Sequence, residues 1–335
     1  MQTKLEKYKK TAIEKQQIVS VFMLTYNREH YVKLAIDGVL SQTYQNFQLI
    51  VLDNCSKDNT EQVITSIPDE RLTYIKRAHT PDCPNALLAL KTCVTKYLII
   101  LHDDDIVNPN YLEEMLEVME KENLTVATAG ATIIDGDGVP YAEHLWKDRS
   151  EIVVFRGNDY ISSFLRPEHI SMTYPSAVYR CDFYKEFENF AGNPEVGPAG
   201  DQWIWFETER LGGTMGFVNR PLFQYRVHRV QESKTYAGKM ELMLMDYLLT
   251  KPYYQQVLME HWQAVAQVIW IAYRALSKKY YCRQIALDQY KEVFNHRCVK
   301  ELKDNSQSRS VYAKLILSYH MRGLLRILLK LIGKI

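Results

Sequence analysis

The 335-residue sequence has no run of about 20 uninterrupted apolar residues, so no segment is expected to span a bilayer. Its first residues, with Lys4, Lys7, Lys9, Lys10 and Lys15 among polar neighbours, lack the apolar stretch of a signal peptide. Six cysteines (Cys55, Cys83, Cys93, Cys181, Cys282, Cys298) form no CxxC pair and no zinc-ligand spacing. That pattern excludes a zinc ribbon and fits a reducing compartment without structural disulfides. Neither GxGxxG nor GxxxxGKS/T occurs, which disfavours a dinucleotide enzyme and a P-loop nucleotidase. There is no internal repeat and no low-complexity tract.

Acidic residues are also missing from one place. After Asp304 there is none, while Arg309, Lys314, Arg322, Arg326, Lys330 and Lys334 follow. The net charge of +1 therefore hides a tail of +6 and a body of −5. The overall sum of +1 argues against nucleic acid as a partner. What is abundant is apolar: 47% of residues are hydrophobic and 24% charged, enough for a large core. The length suggests two domains, or one large domain with an appendage.

The first hundred residues alternate strand and helix patterns. Ile18–Thr25, Phe47–Leu52, Leu72–Ile75 and Tyr97–Leu101 read as buried strands. Glu29–Ser41, Asn59–Ile67 and Asn85–Val94 read as helices, and Pro109 opens another. This order predicts an α/β fold with a mostly parallel sheet flanked by helices. Leu124–Ile134 predicts a further strand, ended by the turn Asp135-Gly136-Asp137-Gly138. Next come a short helix over Gly157–Leu165 and an extended stretch over Ile170–Tyr179. A loop over Ala191–Gly200 leads into a helix from Asp201 to Leu211, and Met215–Asn219 and Leu222–Val227 read as two short strands. From Lys239 onward the pattern is helical.

In open sheets of this kind, ligands bind at the carboxyl ends of the strands. Thr25–Arg28, Asp53–Ser56 and His102–Asp105 all follow predicted strand ends, so three polar clusters point to one site. Adjacent carboxylates repel unless a cation sits among them, and Mg²⁺ or Mn²⁺ takes such oxygen ligands together with phosphates. The plainer reading of Asp105 is a charge favouring the N-terminus of the helix near Pro109. Asp53 suits a base N–H or a ribose hydroxyl, or else an ordinary turn with a helix cap.

Four ordered segments carry a family resemblance: Ile18-Val-Ser-Val-Phe-Met-Leu-Thr-Tyr-Asn-Arg28, Leu40-Ser-Gln-Thr-Tyr44, Asn46-Phe-Gln-Leu-Ile-Val-Leu-Asp-Asn-Cys-Ser56, and Leu101-His-Asp-Asp-Asp105 ending at Pro109. Together they resemble a family 2 glycosyltransferase of the GT-A fold, of the kind that builds bacterial surface polysaccharides. The match is close over residues 18–112 and thinner to about 233. The resemblance implies that Thr25, Tyr26 and Arg28 lie against the nucleotide and that Asp53 accepts from the uracil imide. The family's DxD motif falls on His102-Asp103-Asp104, with Asp103 on the ribose and Asp104 as the metal ligand toward the diphosphate. His102 replaces the usual first Asp, which leaves one carboxylate fewer around the cation.

Gly200-Asp201-Gln202-Trp203 resembles the family's acidic motif, which makes Asp201 the expected catalytic base; plain helix capping is the alternative. Tyr225-Arg226-Val227-His228, with Ser233, resembles a segment near the diphosphate. His228 is then a second metal ligand and Arg226 balances phosphate charge, with His102 and Asp105 close by. Trp203 is the candidate platform for an acceptor sugar, while Trp205 and Phe206 suit the core. His79, Asp82 and Asn85 match the nucleotide pocket weakly.

The implied organisation is a helical leader over 1–17, a GT-A domain over 18–238, and a helical region over 239–335. Arg322, Arg326, Lys330 and Lys334 recur every four residues and form one basic stripe on a leucine-rich helix. Such a helix suits an anionic membrane surface; packing on the acidic body or a homodimer contact are the alternatives. The expected enzyme is an inverting, Mn²⁺- or Mg²⁺-dependent transferase on the inner face of the cell membrane. It would move one sugar from a UDP-linked donor to a saccharide or lipid-linked acceptor. A sugar nucleotidyltransferase and a non-catalytic nucleotide-sugar-binding protein are the rivals.

Overall fold

The structure is a computed structural model that describes residues 2–78, 84–146, 150–166, 169, 171–185, 187, 190, 193–227, 238–281 and 291–318. The chain divides into two compact units. The first comprises Met1–Tyr160, Ile170–Gly192 and Ile204–Val230, and the second Ile161–His169, Asn193–Trp203 and Gln231–Ile335.

The first unit is built on one mixed sheet. Its parallel part comprises β1 (Val19–Thr25), β2 (Phe47–Asp53), β3 (Leu72–Lys76) and β4 (Tyr97–His102), in the order β3-β2-β1-β4. The sheet continues through β9 (Val178–Arg180), β6 (Val126–Ile134), β10 (Met215–Arg226) and β5 (Ile106–Val107). β7 (Pro140–His144) pairs with β6, and β8 (Ile152–Phe155) with β10. The longest ladders, β1 with β2 and β10 with β6, are parallel; β9 is antiparallel to both of its neighbours.

Why β1, β2 and β4 form is plain from their sequences. They are continuous β-branched and leucine-rich runs, and almost every residue is buried because helices cover both faces. Val19, Val21, Met23, Leu49, Val51, Ile99 and Leu101 face one core. Into that core α2 (Val32–Leu40) places Val32, Ala35, Ile36 and Val39, and α5 (Tyr111–Lys121) places Tyr111, Met115 and Met119. Opposite, α1 (Gln2–Glu14) inserts Leu5, Tyr8 and Ala12, and the Tyr8 hydroxyl meets Ser20 Oγ at 2.8 Å. Each fully buried aliphatic side chain is worth roughly 1.5–3 kcal/mol.

The register decides where the ends of the strands fall. Thr25 lies opposite Asp53, and Leu24 opposite His102. The polar segments after β1, β2 and β4 therefore emerge side by side.

Several expectations are corrected. Met215–Asn219 and Leu222–Val227 are one strand, β10, interrupted by register shifts around Pro221, which has no N–H to give the ladder. Ile170–Tyr179 is not continuously extended, because Tyr174–Ser176 forms a 3₁₀ turn before β9. Pro109 precedes α5 rather than opening it, since the N-cap is Asn110. The acids in the first turn of α5 are Glu113 and Glu114, so Asp105 does not serve that helix.

In the second unit, helices span Lys239–Thr250, Pro252–Glu260, Trp262–Tyr281 and Arg297–Asp304, with residues 309–318 also helical. Pro252 sits at the first turn of its helix, where a missing N–H costs nothing. Asp246 receives His296 Nδ1 at 2.8 Å and the Cys298 N–H at 2.7 Å, tying two helices together. Trp262 Nε1 donates to Ser308 Oγ at 2.7 Å. Gly238 is required where it stands: its φ is +89°, and a Cβ there would lie 2.7 Å from the Ala272 carbonyl oxygen. Among the described residues no helix is long and apolar enough to cross a membrane, and Cys55, Cys93, Cys181 and Cys298 are free thiols.

Candidate active site

Three loops at the carboxyl edge of the sheet interlock. In the first, Thr25–Arg28, Asn27 takes a left-handed conformation (φ +54°) that asparagine tolerates better than most residues. Its N–H donates to Ser56 Oγ at 2.9 Å, and its Oδ1 accepts from the Lys57 N–H at 2.8 Å. The Arg28 N–H donates to Thr60 Oγ1 at 2.8 Å. The backbone of this loop is thus fixed by the second loop, while the Tyr26 ring stays exposed at 38%.

The second loop centres on Asp53, which is fully buried. Its Oδ1 accepts from the Ser56 N–H at 2.8 Å and from Ser56 Oγ at 2.7 Å. Its Oδ2 accepts from the Tyr74 hydroxyl at 2.6 Å. Burial, followed by this contact with a carboxylate, pushes the Tyr74 hydroxyl pKa far upward and keeps it a donor. Three of roughly four lone-pair positions on the carboxylate are filled from within the protein. Tyr74 was not anticipated; it reaches Asp53 because β3 pairs in parallel with β2. Asn85 is buried and accepts from Arg77 Nη1, whereas His79 and Asp82 lie outside the described residues.

The third loop sends its acidic residues in different directions. Asp103 turns toward the first loop: Oδ2 accepts from the Tyr26 N–H at 3.2 Å, and Arg28 Nε stands 3.5 Å from Oδ1. Burial pushes the Asp103 carboxyl up to about 7, and the charge of Asp104 adds to the rise while Thr25 and Arg28 oppose it. Asp105 turns the other way and accepts the Arg226 N–H on Oδ1 at 2.8 Å. Its Oδ2 is buried with no hydrogen-bond partner among the described residues. Burial, then the charge of Asp104, raises the Asp105 pKa strongly.

Between them, one donor atom from each of His102, Asp104 and Asp105 falls within 4.8 Å of the others. Nitrogen and carboxylate oxygens at this spacing, with a buried oxygen left over, fit a divalent cation. His102 and Asp104 are half-buried, and the His102 ring lies 6.0 Å from that of Tyr174.

Arg226 is buried, at 2% exposed, and braces the third loop. Its Nε donates to the Asp104 carbonyl at 2.8 Å, and its Nη1 to the carbonyls of Asp135 and Gly136 at 3.1 and 3.2 Å. Its guanidinium carbon sits 4.9 Å from the ring centre of Tyr31. The side chain expected on phosphate is therefore also a structural clamp on the acidic loop. His228 lies outside the described residues, as does the basic stripe from Arg322 to Lys334.

In the second unit, Asp201 is half-buried and is the second residue of the helix Gly200–Arg210. Its Oδ1 accepts from the adjacent Gln202 N–H at 2.8 Å. Trp203 is 3% exposed, with its ring 6.4 Å from that of Tyr247, so it offers no open face to a sugar. Trp205 and Phe206 are buried in the first unit, where Trp205 stacks on Tyr179 and Phe206 meets the edge of Tyr160.

Residues 20–187 match the family model described as glycosyl transferase family 2. An uncharacterized glycosyltransferase of Haemophilus influenzae is 26% identical over 236 residues, 67% of this chain and 70% of that protein. The uncharacterized glycosyltransferase RP339 of Rickettsia prowazekii is 34% identical over 233 residues, 67% of this chain and 68% of that protein. The Escherichia coli UDP-Glc:alpha-D-GlcNAc-diphosphoundecaprenol beta-1,3-glucosyltransferase WfgD is 32% identical over 123 residues, 36% of this chain and 49% of that one. Among solved structures, S. aureus TarS 1–349 in complex with UDP-GlcNAc has a TM-score of 0.60 at 16% identity, over 90% of this chain and 91% of that one. The Pyrobaculum calidifontis mannosyltransferase PcManGT, in complex with GDP-Man and Mn²⁺, has a TM-score of 0.51 at 13% identity, over 97% of this chain and 95% of that one. These two likenesses concern the fold.

Proposed function

Because the chain belongs to glycosyl transferase family 2, and is thus a glycosyltransferase, we propose that it is an inverting, metal-dependent enzyme using a UDP-linked sugar donor. The observation that carries the reading is the strand-end site, where Asp53, Asp103 and the His102–Asp104–Asp105 cluster converge on one edge of the sheet. Asp53 accepts from the base N–H, and Asp103 of the third loop, which faces Arg28 of the first, contacts the ribose. His102, Asp104 and Asp105 would hold Mn²⁺ or Mg²⁺. When bound, such an ion offsets charge on the leaving diphosphate. Arg226 keeps the Asp104 backbone and the Asp105 carboxylate in place. Asp201 takes the proton of the acceptor hydroxyl, which displaces the nucleotide from the opposite face in one step.

The acceptor is a saccharide, most simply one carried on a lipid, as for WfgD. The basic stripe of the tail then holds the enzyme at the inner membrane surface where such acceptors lie.

The test is UDP release from a panel of UDP-sugars with a lipid-linked saccharide acceptor and Mn²⁺, with and without EDTA. Release that EDTA stops, giving a product of inverted anomeric configuration by NMR, is the expected result. Formation of a nucleotide sugar from a nucleoside triphosphate, or a retained configuration, overturns the reading.

A further inference from the structure

We infer that Cys93 and Cys181 are a buried dithiol that a hydroperoxide converts to a disulfide, a modification site at the amino end of β4 and independent of the sugar-transfer reading. The Cys181 thiol donates to Cys93 Sγ at 3.0 Å, although the two residues stand 88 positions apart. A disulfide bond is about 2.05 Å long, so the sulfurs need to close by only about 1 Å. Both backbones are anchored. The Cys93 N–H donates to the Ala89 carbonyl at 2.9 Å, and the Cys181 N–H to the Lys96 carbonyl at 2.9 Å. β4 and β9 pair with Tyr97 opposite Arg180, and that register brings the two cysteines together.

A buried cysteine is ordinarily an inert hydrophobe. This pair is joined to a polar chain instead. Cys93 Sγ lies 3.2 Å from Thr95 Oγ1, which is 2.9 Å from Ser20 Oγ, itself 2.8 Å from the Tyr8 hydroxyl. The bond donated by Cys181 lowers the Cys93 pKa, against the opposing pull of burial, and raises that of Cys181. Cys93 is therefore the nucleophile, since the thiolate is the reactive form. Each cysteine is 2% exposed, but Val94 is 40% exposed, so the chain reaches solvent one residue beyond Cys93. The Cys93 thiolate attacks one peroxide oxygen and the O–O bond breaks, leaving a sulfenic acid; the departing hydroxide takes up the thiol proton as water. The Cys181 sulfur then attacks the Cys93 sulfur, the S–O bond breaks, and the hydroxyl leaves with the Cys181 proton as a second water. The two thiols lose two electrons and one peroxide gains them.

The experiment treats the reduced full-length protein with hydrogen peroxide, unfolds it in urea with iodoacetamide to cap remaining thiols, and maps tryptic peptides without reduction. Cys93 and Cys181 fall in separate peptides, 92–96 and 181–185, each with one cysteine. The expected product is the two joined, lighter by two hydrogens than their sum and released by dithiothreitol. In Cys181→Ala no sulfur is left to resolve the sulfenic acid, so dimedone should label Cys93. The oxidised protein should also unfold at a higher urea midpoint than the reduced one, because a link between residues 88 positions apart constrains the unfolded chain. Recovery of both peptides capped as free thiols, or of Cys93 joined to another cysteine, overturns the inference. That readout uses the unaltered chain and stands even if C181A folds poorly. An unlabelled Cys93 in folded C181A overturns its assignment as the attacking thiol, and an unchanged or lower midpoint overturns the stabilising effect.

Discussion

The backbone N–H of Arg226 donates to Oδ1 of Asp105 at 2.8 Å, joining residues 121 positions apart in the sequence. The same residue grips the Asp104 carbonyl through Nε and stacks on Tyr31. The backbone bond to Asp105 would survive a substitution, but the guanidinium alone serves the Asp104, Asp135 and Gly136 carbonyls at once because its donors are planar and fixed. Lysine keeps the charge but not the fork. Arg226→Lys should therefore destabilise the fold by about 1–3 kcal/mol in urea denaturation and weaken Mn²⁺ binding with UDP. An R226K protein with unchanged stability would show that the clamp is ornamental.

Asp201 is proposed to act on the acceptor rather than on the nucleotide. Asp201→Asn should lower turnover roughly 10²–10⁴-fold, the range typical of a lost general base. Calorimetric binding of UDP with Mn²⁺ should be unaffected. Turnover retained in D201N assigns the base to another residue.

His144 gives a pH signature in stability. Burial holds its pKa below the usual 6.5, against the opposing pull of the Ser171 carbonyl 2.9 Å away. The unfolded chain binds a proton here below about pH 6.5 and the folded chain does not, so stability should fall as pH drops through that value and level off above it. Subtracting the urea-denaturation profile of His144→Gln from that of the unaltered protein isolates this slope. A flat difference contradicts the assignment.

A tail deletion is best begun beyond the described residues. Ser308 and Leu315 are buried in the second unit, so a cut within 305–318 would damage its packing. Deleting 319–335, which carries Arg322, Arg326, Lys330 and Lys334, should abolish co-sedimentation with vesicles containing anionic lipid. Undiminished sedimentation gives the tail another purpose.

Legibility in the sequence followed the strength of the local signal. β1, β2 and β4 were visible because burial on both faces makes each a continuous apolar run. β5 has two residues and β7 is exposed, so neither carries an apolar pattern. β10 read as two strands because Pro221 and Arg220 interrupt a ladder that resumes beyond them. The neighbourhood of Asp53, Asp103 and Asp104 was legible because the order of strands predicts that their polar ends emerge on one edge of the sheet. The bonds of Arg226 and Tyr74 were not, because their partners are distant in sequence and are set by sheet register. Trp203 was indistinguishable from its neighbours at helical spacing, and its burial is a property of the packing alone.

A cation on the third loop is proposed to hold the diphosphate of a UDP-linked donor. Calorimetric titration of UDP into the unaltered protein and into Asp104→Asn, each with and without Mn²⁺, tests it most directly. Strong binding is expected only for the unaltered protein with Mn²⁺, weakened about tenfold or more in D104N. Equal UDP affinity in both proteins, whether or not Mn²⁺ is present, would contradict it.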